Sequence, residues 1–145
     1  MKRFATALLA APGALACASA AACGYCIEDR MAAVYDHAVL MRATAARHKV
    51  AFYAVLGLAP TDEASARTIR RKVEQVRGVD LGSVRYSGDS AALSLSFDPR
   101  AARWADLDRG ITKALASRGL TLGLIDIVDR PEQMRARRAT PSAAR

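Results

Sequence analysis

The chain has 145 residues, with 22 Lys and Arg against 14 Asp and Glu, a formal net charge of +8 and 52% hydrophobic residues. This length suits one small domain with a real core and leaves no room for a second domain. We therefore expect one domain and no second one.

The opening residues follow the pattern of a secretory signal peptide. Lys2 and Arg3 come first, no charged residue occurs from Phe4 to Ala22, and residues 18–20 form the small-residue pattern Ala-Ser-Ala. We therefore predict that residues 1–20 are a signal peptide, with Ala21 the favoured first residue of the mature chain. The predicted location is periplasmic or secreted.

Two other roles for this segment are disfavoured by its residues. An uncleaved membrane anchor suits it poorly because it is mostly alanine and contains Pro12 and Gly13. A lipid anchor on Cys17 suits it poorly because Ala14 stands where a lipobox has leucine. We expect no stable membrane insertion after cleavage.

Cleavage changes the charge and the cysteine content of the chain. Without Lys2 and Arg3 the formal charge falls from +8 to +6. In an exported protein this excess has no nucleic acid to meet, and it favours solubility or contact with anionic surfaces. Cys17 leaves with the signal peptide, so Cys23 and Cys26 remain, in an oxidising compartment.

Residues 23–48 predict one amphipathic helix that carries the motif Cys23-Gly-Tyr-Cys26 at its start. Glu28 and Asp29 are expected in the first turn, where carboxylates complement the positive end of the helix dipole. Apolar residues recur along the helix at spacings of three and four: Ile27, Met31, Val34, Ala38 and Met41.

The next segment predicts a strand, a helix and a hairpin. "KVAFYAVLGL" has the β-branched and aromatic content of a buried strand, and the helix after it has Thr61 as its N-cap and ends at Gly78. "VDLGSVRY" and "AALSLSF" flank the turn "SGDS", and the alternation of large and small residues predicts an antiparallel hairpin with one buried face.

A second helix and a last strand complete the domain. The helix begins near Trp104 and ends at Gly119. The strand "LTLGLIDIVD" shifts its apolar phase between Leu124 and Ile125.

These elements define an α+β fold over residues 49–130. The order βαββαβ predicts a ferredoxin-like sandwich, preceded by the N-terminal amphipathic helix, with two helices on one face of a four-stranded antiparallel sheet. Residues 131–145 contain four arginines, one glutamate and almost no apolar periodicity, which predicts a disordered basic tail.

The stretch "VEQVRGVDLGSVRYSGDSAALSLSFDPRAARWADLDRGITKALASRGL" resembles the heavy-metal-associated (HMA) domain family. In that family a helix ends in Gly-Val, a hairpin follows, an Asp-Pro often appears and the second helix runs into a Gly. The resemblance covers about Val50 to Val128, and it implies the ferredoxin-like fold and a link to soft metals. The family's Met-x-Cys-x-x-Cys loop is replaced here by "GLAPTDEASA", which holds no cysteine, methionine or histidine, so no metal ligand is carried over.

Cys23 and Cys26 are compatible with three kinds of chemistry. Two thiolates suit Cu(I) better than Zn(II), which prefers four ligands. A CxxC at a helix N-terminus, with Arg30 one turn on, also suits a thiol-disulfide redox pair. A local disulfide in a non-catalytic interaction module is the third interpretation, although a four-residue loop contributes only about 2 kcal/mol by the chain-entropy formula.

No other site is indicated by the sequence. His37 lies about 16 Å along a helix axis from Cys26, too far to share its metal ion, and His48 is interpreted as a helix-end residue. Asp106 and Asp108 flank Leu107 and point to different sides of their helix. We identify no catalytic and no cofactor-binding residue, and we expect an unidentified protein partner, no nucleic acid and at most a weak homodimer.

Overall fold

The computed structural model describes residues 23–134, with side chains from Ile27 onward. The predicted signal peptide and residues 135–145 of the predicted tail lie outside the described residues. The elements, in chain order, are α1 (Cys23–Ala33), α2 (His37–Ala46), β1 (Lys49–Leu56), α3 (Glu63–Glu74), β2 (Arg85–Ser87), β3 (Ala92–Phe97), α4 (Trp104–Ala116) and β4 (Thr121–Val128).

The four strands form one sheet in the order β2-β3-β1-β4. All three neighbouring pairs, β1 with β3, β1 with β4 and β2 with β3, are antiparallel. This strand order, with a helix after β1 and another after β3, is the ferredoxin-like arrangement. The predicted fold class is therefore confirmed.

Helices α3 and α4 cover one face of the sheet with a large apolar core. Alternate residues of β1 and β3 point to this side, because successive side chains of a strand face opposite ways. Tyr53, Leu95, Ile69 and Ile111 are fully buried there. Trp104 lies at the edge of this core, stacked on Tyr53 with ring centroids 6.0 Å apart.

Helices α1 and α2 cover the other face, which makes three layers rather than the predicted two. On this side β3 presents the small residues Ala92, Ser94 and Ser96, all of them buried. Small side chains let the helices approach the sheet closely. The hairpin was expected to bury one face, and the structure buries both because the N-terminal helices pack on the second.

The segment predicted as one helix is two helices, separated at Asp36. The Asp36 backbone is extended, and its carboxylate accepts hydrogen bonds from the N–H groups of Ala38 (2.8 Å) and Val39 (3.1 Å). An aspartate in this position is an N-cap, so a new helix starts after it. Because α1 already begins at Cys23, Glu28 lies in its second turn and not in its first.

Two predicted boundaries also differ in the structure. Asp62, and not Thr61, caps α3, because its carboxylate accepts from the N–H of Ser65 at 2.8 Å. The strand predicted over residues 79–86 is shortened to β2, since the Ser83 hydroxyl donates to the Asp80 carbonyl at 2.6 Å and closes a turn.

The shift of apolar phase in the last strand coincides with a β-bulge. Phe52 pairs with Asp126 and Tyr53 pairs with Leu124, so Ile125 is the extra residue on β4. A bulge inserts one residue into one strand and moves the following side chains to the opposite face. Ile125 therefore packs on the α1/α2 side.

The predicted tail begins as part of the fold. Residues 131–134 form a helical turn after β4, and Met134 is 6% exposed in the core between the sheet and α1/α2. Because the residues around Met134 in the sequence are polar, apolar periodicity does not indicate this contact. The prediction of a disordered tail from residue 131 is therefore wrong for its first four residues.

Candidate functional site

The backbone of α1 places the two candidate cysteines in one helical turn. Cys23 is the first residue of the helix and Cys26 follows three positions later. Their side chains are not among those the structure describes. Residues three apart lie on the same helix face, with Cβ atoms about 5–6 Å apart.

The residues that follow the cysteines on α1 are exposed. Ile27, Glu28 and Asp29 are exposed, and from Ile27 onward the first buried residue is Met31. Met31 and Val34 anchor the helix on the sheet by its second half. The turn that holds the cysteines therefore precedes the anchored part of the helix.

This arrangement supports three kinds of thiol chemistry. The N–H groups of a first helical turn and the helix dipole favour a negatively charged sulfur. Two thiolates on one face can hold a soft metal ion. Two cysteines one turn apart can also form a disulfide if their Cβ atoms close from about 5–6 Å to the about 4 Å that the bond requires.

Further ligands for a metal are scarce in the described part of the chain. The described side chains, those of residues 27–134, include no group of three or more His, Cys, Asp and Glu residues arranged to hold a metal ion. His37 belongs to α2, and its Nδ1 lies 3.1 Å from the hydroxyl of Tyr35. Met31 is turned into the core.

The loop that would hold the HMA family's metal lies between β1 and α3 and contains no thiol. Its backbone is fixed by the hairpin, since the Tyr86 hydroxyl donates to the Pro60 carbonyl at 2.9 Å. Gly88 passes so close that a Cβ there would stand 2.2 Å from the Pro60 oxygen. This loop is held by packing and backbone contacts.

A polar cluster around His48 was not predicted from the sequence. His48 Nδ1 lies 2.9 Å from Asp80 Oδ2, and its Nε2 lies 3.7 Å from Asp98 Oδ2. Ser96 donates to the same Asp80 oxygen at 2.5 Å. The cluster joins the end of α2 to β3, and the residues are too far apart in sequence for spacing to reveal it.

Charge partners in this cluster hold Asp98 ionised. Hydrogen bonds from the Arg100 side chain and backbone lower the pKa of Asp98 below its ordinary value. His48 thus lies between carboxylates on both ring nitrogens. The serine bonds to the aspartate and not to the histidine, so the cluster is not a nucleophilic triad.

A shallow pocket of about 610 Å³ lies between the end of α2 and the turn after β4. Its walls alternate in charge, with Arg47, Lys49 and Arg130 against Asp129 and Glu132. Such a mixture selects neither anions nor cations. We assign no ligand to it.

The remaining candidates take structural roles. Asp106 is exposed and pairs with Arg103 and Arg109, while Asp108 accepts a hydrogen bond from the Tyr53 hydroxyl at 3.3 Å. Burial, followed by the nearby Asp108 charge, raises the pKa of Tyr53 far above its ordinary value. The two carboxylates serve different contacts, as the sequence predicted.

None of the helices between residues 23 and 134 is long and apolar enough to cross a lipid bilayer.

Comparison with solved structures finds several small domains that resemble part of the chain at low sequence identity. Oxidised MerP from Ralstonia metallidurans CH34 is 22% identical over 55% of this chain and 99% of that one, with a TM-score of 0.43. A copper-binding domain from HMA7, a P-type ATPase, is 18% identical over 55% of this chain and 96% of that one, also with a TM-score of 0.43.

A third structure is the N-terminal domain of a potential copper-translocating P-type ATPase from Bacillus subtilis in the Cu(I)-loaded state. It is 21% identical over 57% of this chain and 92% of that one, with a TM-score of 0.43. No family model and no curated protein sequence matches the chain. The strand order shows the ferredoxin-like fold that the resemblance to HMA domains implies.

Proposed function

We propose that the chain is exported and binds a soft metal ion of the Cu(I) kind through the thiolates of Cys23 and Cys26, for delivery to a protein partner. The observation that carries this proposal is the start of α1 at Cys23, which puts both cysteines in one turn of one helix. Cu(I) accepts two sulfur ligands, whereas Zn(II) prefers four.

The position of the motif supports transfer as well as binding. Ile27, Glu28 and Asp29, which follow the cysteines, are exposed, and Met31 is buried in the core. A partner thiolate can therefore approach from solvent and exchange ligands one at a time. A second copy of the chain, in a weak dimer, would offer two more thiolates to the same ion.

A Cu(I) competition titration tests this proposal. We expect the reduced chain from Ala21 to Arg145 to withdraw Cu(I) from a chelator such as bicinchoninic acid, with one ion per chain or per dimer. Cys23→Ser and Cys26→Ser should each abolish binding, because one thiolate leaves an incomplete site. His37→Gln and Met41→Leu are matched controls and should bind as the parent does.

The result that contradicts the proposal is equally direct. A reduced chain that leaves Cu(I) with the chelator has no such site, whatever its redox behaviour. Equal loss of binding in Met41→Leu would place the site elsewhere, since Met41 is an exposed sulfur-bearing residue of α2.

Export is tested by sequencing the N-terminus of the protein recovered from its native host. We expect Ala21 as the first residue, because it follows the small-residue pattern of residues 18–20. Recovery of a soluble chain that still carries residues 1–20 would contradict export.

A thiol-disulfide redox role is the second candidate, and the helical first turn favours it. The dipole and the free N–H groups at the start of α1 stabilise a thiolate, which lowers a thiol pKa. A glutathione titration distinguishes the roles. The disulfide of a redox pair should have a reduction potential above the roughly −300 mV limit typical of structural disulfides. A lower potential together with Cu(I) binding supports the metal role alone.

A further inference from the structure

The outer face of α3 and α4 carries a set of basic side chains without acidic partners. We call this set the basic face. Every member is exposed, and within residues 23–134 none of them forms an ion pair. The members are Arg67, Arg71 and Arg77 on or just after α3, and Lys113 and Arg118 on or just after α4.

The carboxylates of this layer are already engaged. Asp106 is shared by two arginines, so that pair of contacts still leaves positive charge. The others cap a helix or accept local bonds: Asp62 from the Ser65 N–H, Glu63 from Arg70, Glu74 from the Gly82 N–H and Asp108 from Tyr53. These carboxylates remain charged, but residues 62–77 and 103–118 contain nine Lys and Arg against five Asp and Glu, so the layer keeps a net positive charge.

The sequence of α3 also places like charges together. Arg67 and Arg71 are four residues apart, so they are neighbours on the helix surface, and such like-charge pairs destabilise a helix slightly. The opposite layer shows no such excess, since Glu28, Asp29 and Asp36 offset its arginines. The positive charge is thus concentrated on one side of the sheet.

The basic face lacks the apolar centre of a protein interface. The exposed large hydrophobic residues of the described chain are Ile27, Met41, Leu56, Leu58, Leu81 and Leu124, and none of them lies in α3 or α4. Specific protein interfaces bury aromatic or aliphatic residues at their centre. A broad array of cations without an apolar centre suits a partner whose surface carries many dispersed negative charges.

We propose that the basic face binds the surface of an anionic phospholipid bilayer. The export predicted from the sequence would bring this face to phospholipid headgroups. Binding is electrostatic and peripheral, because no apolar side chain of the face is available to insert. Since α1 lies on the other face of the sheet, the bound protein presents Cys23 and Cys26 away from the membrane.

Vesicle co-sedimentation tests this proposal with the chain from Ala21 to Arg145, which keeps every described residue. We expect binding to vesicles of phosphatidylglycerol and phosphatidylcholine at low salt, and none to phosphatidylcholine alone. The triple variant Arg67→Gln, Arg71→Gln, Lys113→Gln should bind at least about tenfold more weakly, because each basic residue near an anionic bilayer contributes about fivefold. Binding should fall steeply as salt is added.

A matched variant removes the same charge from elsewhere. Arg42→Gln, Arg47→Gln, Arg130→Gln takes away three exposed cations outside α3 and α4, and we expect less than about threefold change. Equal weakening in both variants would mean that net charge alone drives binding and would overturn the assignment of this face. Circular dichroism of both variants confirms that each is folded.

Two further outcomes would also overturn the proposal. One is the absence of binding to phosphatidylglycerol vesicles at low salt. The other is tighter binding to a duplex oligonucleotide than to those vesicles, with the same loss in the α3/α4 variant, since the face would then fit nucleic acid. Neither outcome bears on Cu(I) binding, which the cysteine variants test separately.

Discussion

The two helical layers hold the same sheet by different means. The α3/α4 layer buries large interlocking side chains such as Leu95, Phe97 and Ile111. The α1/α2 layer rests on small residues of β3 and adds polar connections, including a hydrogen bond from the Ser94 hydroxyl to the Val34 carbonyl at 2.6 Å. A ferredoxin-like sandwich can therefore accept an extra helical layer if the open face of its sheet carries small side chains that form hydrogen bonds.

An ion pair also fastens the α1/α2 layer to the sheet. Arg85 of β2 meets Asp36 with an Nη2–Oδ2 distance of 2.7 Å. Asp36 thus caps α2 with one carboxylate oxygen and holds β2 with the other. Each of these hydrogen bonds and ion pairs depends on one polar side chain. A single polar substitution should therefore weaken the packing of the α1/α2 layer more than that of the α3/α4 layer.

The largest effect is expected in the apolar layer. Leu95 is fully buried, and Leu95→Ala should lower the free energy of unfolding by about 2–5 kcal/mol through lost burial and the cavity left behind. Urea denaturation measures the change. Leu81→Ala is the control, since Leu81 is 84% exposed; equal stability of the two variants would show that the strand register is wrong.

A smaller effect is expected where the chain after β4 meets the α1/α2 layer. A chain that ends at Arg130 loses the buried Met134, and it should be less stable than one that ends at Met134 by about 2 kcal/mol, the low end of the range for a buried methionine. Thermal unfolding of the two truncations gives the comparison. Identical melting curves would contradict a role for residues 131–134 in the core.

The Asp36 contacts predict an acid-sensitive link between the layers. Asp36→Ala should cost about 1 kcal/mol through the lost N-cap. Hydrogen bonds from the Val39 N–H and then from Arg85 lower the pKa of Asp36 below its reference value of 3.8. The stability from its charge is therefore present above about pH 4 and is lost as the pH falls through the lowered pKa.

The measurement is urea denaturation of the parent and Asp36→Asn across the acid range. Asparagine keeps a capping oxygen but cannot form the ion pair, so the parent should have the higher free energy of unfolding at neutral pH. This difference between the two proteins should disappear at acid pH. A difference in the free energy of unfolding that stays constant down to pH 2 would contradict the dependence on the Asp36 charge.

The smallest effect is expected at Ser94. Ser94→Ala removes the bond to Val34 and should cost about 1 kcal/mol, because a buried carbonyl loses its partner. Ser117→Ala, at an exposed hydroxyl, should change stability by less than about 0.5 kcal/mol. A neutral Ser94→Ala variant would mean that this hydrogen bond does not help to hold the α1/α2 layer on the sheet.

Sequence patterns predicted the sandwich well because each of its elements has a local signal. The stripes of α3 and α4 are closed by glycines, and even the bulge at Ile125 appears as a slip in apolar phase. The break at Asp36 was missed because apolar residues keep the helical spacing across it. The capping carboxylate, three positions before Val39, was the signal available.

The site was less predictable than the fold for a physical reason. The cysteine motif is local, so its place on α1 could be inferred. The His48 cluster and the burial of Met134 depend on contacts between distant segments, which no spacing in the sequence encodes. The second layer itself follows from the small residues of β3, which as a sequence pattern indicate an exposed strand face equally well.

The bulge at Ile125 has a consequence for how the molecule behaves at high concentration. β4 and β2 are the edges of the sheet, and a long flat edge invites strands of other molecules to pair with it. β2 has only three residues, and β4 has a bulge next to Asp126, a half-buried charged residue. Short or irregular edges with inward charges resist intermolecular strand pairing, so the sheet itself gives the protein protection against aggregation.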